Sequence, residues 1–343
     1  MSYLTYVGGL RDPGLAVDLG TTNTLMYVPG RGIVLAEPSL VAIRRGTGDV
    51  RAVGVDAAPL VEREAGSIVE VRPVRDGVIT EFELAAEMLA RFRRKACRRR
   101  RAHPRMVVAV PSGATGVARR AVQEACRSAG AGEVHLIEEP MAAAIGAGLP
   151  VAQAVGSLIV DIGGGTTEVA LISLGEIVAS RSLPVGGDEF DVSIVKHLRR
   201  EHELVISQPT AERVKRAIGS ALPNGEDARI EVSGRDTHSM TPKTLVVTSE
   251  EIRCALERHV TKIVEAVKDT LSCTPPELSS DILERGIVLA GGGALLKGLE
   301  ERLRRETQLP AQAAELPLTC VAAGSGTWLE EWNDGRLQEV TEA

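Results

Sequence analysis

The sequence predicts an α/β protein built as two similar lobes that face a common cleft. Short apolar runs of strand character alternate with helical patterns along the chain, the signature of α/β layers. A strand–Asp–Gly/Thr–strand unit occurs twice, at 15–28 and at 158–172, placing Asp18 and Asp161 143 positions apart. The 343 residues suffice for one large lobe or two domains of about 100–200 residues each.

The first unit reads as a hairpin: Leu15-Ala16-Val17-Asp18 and Leu25-Met26-Tyr27-Val28 flank a polar Gly-Thr-Thr-Asn turn, and Ile33-Val34-Leu35 adds a third strand. Val107-Val108-Ala109-Val110 is a buried strand stopped by Pro111. The second unit sets Leu158–Asp161 and Val169–Ile172 around another Gly/Thr turn, and Ile287–Ala290 runs into Gly291-Gly292-Gly293. Apolar periodicity predicts helices over about 83–97, 115–129, 139–147, 188–203, 210–221, 249–273 and 293–306. Thr248 and Glu251 form a capping-box pattern at the start of the sixth.

Composition narrows the class. Charged residues are 25% and hydrophobic residues 44%, the balance of a folded globular chain. Aromatics are 2%, so the core is built from Val, Ile, Leu and Ala, whereas the 35 Gly exceed the usual share of roughly 7%. Five Cys without a C-x-x-C pair disfavour a disulfide framework or a zinc knuckle. The N-terminus lacks a signal-peptide pattern and no apolar run is long enough to span a bilayer, so a cytoplasmic protein is expected. The net charge of −6 argues against a nucleic-acid partner.

The duplicated unit carries chemistry. Gly lets backbone N–H groups approach an anion, and Thr hydroxyls add donors. An Asp beside such a turn repels phosphate unless a divalent cation lies between them, so Asp18 and Asp161 are a candidate metal-side pair for Mg²⁺ held through its waters. A turn former explains either Asp alone; packing explains neither the Asp nor the Gly in both copies. P-loop and Rossmann fingerprints are absent, which leaves a two-hairpin mode of phosphate binding. In Glu138-Glu139-Pro140, Pro suits a first helical turn and the dipole favours a carboxylate there. The second Glu, Glu139, is the candidate for orienting or deprotonating a water that attacks a γ-phosphate. Gly291-Gly292-Gly293-Ala294-Leu295-Leu296 permits a flat adenine and ribose against backbone. Glu212 and Lys215, at i and i+3, bracket the sugar and base edge or form an exposed ion pair.

Asp18-Leu19-Gly20-Thr21, Ile137-Glu138-Glu139-Pro140-Met141, Asp161-Ile162-Gly163-Gly164-Gly165-Thr166-Thr167 and Ala290-Gly291-Gly292-Gly293 occur in that order. They resemble the phosphate, catalytic and adenosine motifs of the actin/sugar-kinase/DnaK-type ATPase superfamily. The stretches 72–79, 110–113, 185–191 and 274–278 resemble the MreB/Mbl family of bacterial actins within it, over about 14–328. The resemblance implies an actin-like fold, each lobe a mixed sheet with flanking helices, in four subdomains: 1–37 with 76–150 and 320–343, then 38–75, then 151–187 with 246–319, then 188–245. It implies ATP and Mg²⁺ as ligands, with Thr21, Thr22 and Asn23 on the phosphates from one lobe and Gly163, Gly164, Gly165 and Thr166 from the other. It makes Asp18 and Asp161 the metal side, Glu139 the water-handling group with Thr166 assisting, and Glu212, Lys215, Gly292, Gly293, Ala294, Leu295 and Leu296 the nucleoside site. The implied activity is slow ATP hydrolysis in filaments, paired protofilaments of this chain itself, at the inner face of the cell membrane. These would organise cell-wall synthesis and shape together with the proteins of that process, or serve a developmental wall process. A sugar-kinase-type phosphotransferase and a filament subunit that binds ATP without hydrolysing it are the alternatives.

The segment 91–105 departs from the family's expected apolar insertion loop. It holds nine Arg/Lys and no acid, which leaves −15 on the other 328 residues. Electrostatic docking on anionic lipid is expected from it, at about 1 kcal/mol per basic residue near the surface, with Tyr3, Leu4, Tyr6 and Val7 as a modest apolar anchor. A solvated helix face and a nucleic-acid patch are the alternatives.

Overall fold

The computed structural model describes residues 14–64, 66–97, 103–223 and 228–334. The first lobe opens with β1 (Leu15–Leu19), β2 (Asn23–Val28) and β3 (Gly32–Pro38). Next come β4 (Val41–Arg44), β5 (Val50–Val53), α1 (Ala57–Arg63) and β6 (Ile68–Val71); the three strands form a small sheet with β4 in the centre. The hairpin β7 (Val74–Arg75) and β8 (Val78–Ile79) leads to α2 (Phe82–Ala96), β9 (Arg105–Val110), α3 (Gly116–Ser128), β10 (Glu133–Glu138) and α4 (Glu139–Gly146). The second lobe contains β11 (Ser157–Ile162), β12 (Thr167–Ser173), β13 (Glu176–Leu183), α5 (Gly187–His202), β14 (Leu204–Val205), α6 (Gln208–Ile218), β15 (Arg229–Asp236) and β16 (Pro242–Thr248). It continues with α7 (Ser249–Ser272), α8 (Pro276–Arg285), β17 (Ile287–Ala290), α9 (Leu299–Thr307) and β18 (Ala311–Ala313), and α10 (Cys320–Asn333) returns to the first lobe.

The two main sheets have the same topology. One is ordered β10-β9-β1-β2-β3, the other β18-β17-β11-β12-β13. In each, the Asp-bearing strand pairs antiparallel with its hairpin partner and parallel with the crossover strand. The duplicated motif is thus a duplicated sheet, and the expected α/β, two-lobed architecture is the one observed.

Alternation along the central strands divides the core in three. Leu15, Val17, Met106 and Val108 point into the first lobe's own core with Met88, Leu89 and Phe92 of α2. Leu158, Val160, Val169 and Leu171 do the same in the second lobe against α5 and α7. The intervening residues, Ala16, Val107, Ala109, Ile159, Ala170 and Ala290, face a third core between the lobes, filled by α4 and α10. Most of these strand residues are Ala, which lets α4 and α10 pack closely on the two sheets. By the same parity Asp18, Asp161 and Glu168 lie on the inter-lobe face.

Two local expectations are corrected. The helix expected over 293–306 is a short 3₁₀ turn, Gly292–Leu295, followed by α9 from Leu299, because Gly298 between them adopts φ +75°, outside the right-handed helical region. The capping box forms by half. Thr248 Oγ1 accepts from the Glu251 N–H at 3.3 Å, but the Glu251 carboxylate turns to the Nε2 atoms of His197 and His202 on α5 instead of returning to the cap. No helix among the described residues is long and apolar enough to cross a membrane.

Candidate functional site

Between the lobes lies a cleft of about 680 Å³. Its floor is formed where β1 and β11 end, and Asp18 and Asp161 enter it from opposite sheets. Burial raises the Asp18 carboxyl to about 7. Burial, then the charges of Asp18 and Glu168, raise Asp161 to about 8. Glu139 occupies the first turn of α4, directly after β10 and before Pro140, and is 9% exposed. Burial, followed by Asp161, Asp18 and Glu168, pushes its carboxyl well above the ordinary range.

Three carboxylates on one floor repel each other unless a cation or protons intervene. The Asp161 Oδ1 is buried and accepts no hydrogen bond from the protein. A buried acceptor that lacks a donor and sits beside two further carboxylates is a donor set suited to a hard divalent cation. Among the described residues no three His, Cys, Asp or Glu side chains converge to coordinate an ion directly. A cation fitting this floor therefore keeps most of its waters, as Mg²⁺ commonly does.

The two Gly/Thr turns meet above the floor. The turn after β11 is closed by the Gly163 N–H donating to Thr166 O at 2.8 Å. A side chain on Gly164 would collide with Thr22 Oγ1 of the opposite turn, and a Cβ on Gly165 would lie 2.8 Å from Thr21 Oγ1. A side chain is disfavoured at 164 because the Thr22 side chain of the opposing lobe already occupies that space. Thr21 is buried, and its hydroxyl accepts from the Gly77 N–H at 3.4 Å; Thr22 and Asn23 stand further out on the wall. The first amides of α5, Gly187 and Asp188, donate to the carbonyls of Gly163 and Gly164 at 3.0 and 2.8 Å, tying the helix to the turn.

Glu212 and Lys215 both line the cleft, yet they do not pair with each other. The Lys215 ammonium lies 2.8 Å from Asp191 Oδ1 and donates to Gly187 O at 2.8 Å, while Glu212 is 4.0 Å from Arg216. Burial raises Asp191 to about 6 against the opposing pull of Lys215. The exposed-pair alternative for Glu212 and Lys215 is thereby removed. Thr166, Gly292, Gly293, Leu295 and Leu296 lie on the wall, whereas Ala294 is buried in the second lobe's core, off the wall.

The cleft also takes in Arg72, Asp188, Gln208, Lys297 and Leu318, which the sequence did not single out. Arg72 and Asp188 fall inside the motif stretches 72–79 and 185–191, so a signal existed for them. Lys297 and Leu318 sit in segments whose fold brings them in from far along the chain, and carry none.

Comparisons with known proteins agree with this architecture. The MreB/Mbl protein family model matches residues 12–336. The cell shape-determining protein MreB of Escherichia coli K12 is 52% identical over 328 residues, 94% of either chain. The cell shape-determining protein Mbl of Bacillus subtilis 168 is 44% identical over 317 residues, 92% of this chain and 95% of that one. The crystal structure of MreB5 of Spiroplasma citri bound to AMPPNP superposes with a TM-score of 0.88 at 39% identity, covering 94% of this chain and 97% of its own. With a family model spanning nearly the whole chain and relatives this similar over nearly their full length, the chain belongs to the MreB/Mbl family and has its actin-like fold.

Proposed function

We propose that the protein is an ATP-binding, slowly hydrolysing subunit of an actin-like filament that organises cell shape through the cell wall. The observation carrying this is the convergence of two copies of one Asp–Gly/Thr turn, from two sheets of identical topology, on a cleft floor with three carboxylates. A polyphosphate bound with a divalent cation answers both features: turn amides and hydroxyls take the anion, and the cation relieves the carboxylates. MreB5 of Spiroplasma citri, with the same fold, has been crystallised with AMPPNP and with ADP.

In this reading Thr21, Thr22 and Asn23 hold phosphates from one lobe and Gly163 to Thr166 from the other. Asp18 and Asp161 hold Mg²⁺ through water, and the cation supplies positive charge to the phosphates when bound. Glu139, poised high by its surroundings, accepts a proton from the attacking water, and Thr166 orients that water. Glu212, Lys215, Gly292, Gly293, Leu295 and Leu296 bracket the nucleoside. Because both lobes contribute, nucleotide draws the cleft shut, and closure favours assembly with further copies.

Attachment to the inner face of the cell membrane is assigned to the basic segment and the N-terminus. Much of that segment is already engaged within the first lobe: Arg91 pairs with Glu87 at 2.7 Å, Lys95 with Glu37 at 2.8 Å, Arg105 with Glu133 at 3.4 Å, and Arg93 donates to Ala129 O. Lipid binding therefore falls to Arg98–Arg101 and to Tyr3, Leu4, Tyr6 and Val7, which lie outside the described residues.

The test is threefold on one preparation: binding of a fluorescent ATP analogue, phosphate release, and pelleting with ATP. ATP-dependent pelleting with slow phosphate release is expected, and Glu139→Ala should bind nucleotide but release phosphate far more slowly. Rapid phosphorylation of a sugar with no pelleting under any nucleotide condition would overturn the reading.

A further inference from the structure

Behind the cleft floor, outside its walls, a single carboxylate bridges the two lobes. Glu168 of β12 is 1% exposed. Its Oε2 accepts from the Ser112 N–H at 3.2 Å and from Ser112 Oγ at 2.6 Å, and its Oε1 accepts from Ser182 Oγ at 2.5 Å. Ser182 belongs to β13 of the same lobe; Ser112 follows β9 in the other. Packing did not require an acid here. In the duplicated hairpins Asp161 stands opposite Glu168, while Asp18 stands opposite Leu25, so the equivalent position in the first lobe is filled by an apolar side chain. A charge directly opposite Asp161 is unfavourable on its own, and a buried carboxylate needs its donors; three hydroxyl or amide donors are supplied, with no cation among them.

The loop that Glu168 grips leads to Glu139. The turn 111–114 is closed by the Ala114 N–H donating to Pro111 O at 3.0 Å. Arg119 Nε donates to Ala114 O at 3.3 Å and its Nη2 to Glu138 Oε1 at 2.7 Å. Glu138 is the N-cap of α4, whose first residue is Glu139. From Glu168, itself two residues after Thr166, hydrogen bonds joined through the backbone of the 111–114 turn reach Glu138, the residue before Glu139.

We infer that Glu168 is a positioning residue, a strap that ties the 111–114 loop of one lobe to the strand following the Gly/Thr turn of the other and so places Glu139 against the nucleotide when the cleft is shut. This rests on the ATPase reading above. Opening the lobes must break the Ser112 bonds, whereas the Ser182 bond moves with its own lobe.

The experiment uses the full chain and measures ATP-analogue affinity together with kcat and KM for phosphate release. Ser112→Ala should lower kcat by about tenfold or more, the scale of a misplaced catalytic group, with KM and analogue affinity within about twofold of wild type. Ser112→Thr keeps both donors and should recover at least half of the rate. Ser182→Ala, which removes a donor inside one lobe, should stay within about twofold. Should Ser112→Ala not fold, Glu168→Asp, one methylene short of the loop, carries the same expectation. A kcat unchanged across these variants, a raised KM alone, or equal losses for Ser182→Ala and Ser112→Ala would overturn the strap while leaving the ATPase reading standing. A wild-type chain that binds no ATP analogue would defeat that reading itself.

Discussion

Asp161 and Glu139 are costly residues to place where they are. Each is buried, each faces further carboxylates, and both are held above their ordinary ionisation range by that burial. For Asp161 the stability contribution without cation is fully present below the unfolded value near 4 and is lost as pH rises through about 8. Asp161→Asn should therefore raise the melting temperature of the nucleotide-free protein at pH 8, with the difference from wild type shrinking toward pH 5 in thermal scans. The same variant should lose the gain in nucleotide affinity that Mg²⁺ confers on wild type in paired titrations. Glu139→Gln should slow phosphate release by about 10²–10⁴-fold, the usual worth of a positioned base, while analogue binding persists. The Asp residues were legible because they recur with Gly and Thr at matched positions. Glu168 was not, since one carboxylate in a fully buried strand has no pattern to announce it, and its partner Ser112 lies 56 positions away.

At the scale of elements, strands and long helices read well from the sequence because their periodicity is enforced by burial on one face. The strand after each Asp and the helices α2, α3, α5, α6 and α7 all follow such patterns. The misses are instructive. The stretch 320–333 folds as α10 although Gly324 and Gly326 each disfavour a helix by about 1 kcal/mol. Tertiary contact overrides propensity there: a Cβ at Gly324 would collide with Ala142 O of α4, one at Gly326 with the Tyr27 ring, and one at Gly146 with Cys320 O. The small residues exist so that α4 and α10 can cross closely under the cleft. Gly324→Val should accordingly destabilise the protein by about 1–3 kcal/mol or more through overpacking, read as a lowered denaturation midpoint. In the opposite sense, the expected helix over 293–306 gives way at Gly298, where a left-handed backbone turns the chain between cleft wall and α9.

For the molecule as a whole, we propose the four-part division stated from the sequence, in which 38–75 and 188–245 are the smaller units; small sheets of three strands do occur at 41–71 and 204–248. Between the lobes the strands contribute mainly Ala, Ile and Val, and α4 and α10 fill the layer with Leu329 and, at its margin, Met141, Trp328 and Trp332. Charge is distributed at the same scale. Arg91, Lys95 and Arg105 are neutralised by local acids, so attraction to anionic vesicles should depend on Arg98–Arg101. Co-sedimentation with anionic liposomes should fall when these four are neutralised, and fall for wild type as salt rises, because exposed charges are screened beyond about 10 Å at 0.1 M. Binding that ignores both changes would assign attachment to the apolar N-terminus alone.

The sequence by itself determined the class of fold, the repeat, the identity of both cleft-floor Asp residues and the position of Glu139. Each is encoded locally, in a two-residue or 3.6-residue period or in a motif a few residues long, and local patterns survive without knowledge of partners. Only the tertiary structure decided that Lys215 binds Asp191 rather than Glu212, that Ala294 leaves the cleft wall for the core, and that Glu168 reaches across to Ser112. Those are choices among distant partners, made by how two sheets and two glycine-bearing helices pack, and packing geometry is not written in any one segment of the chain.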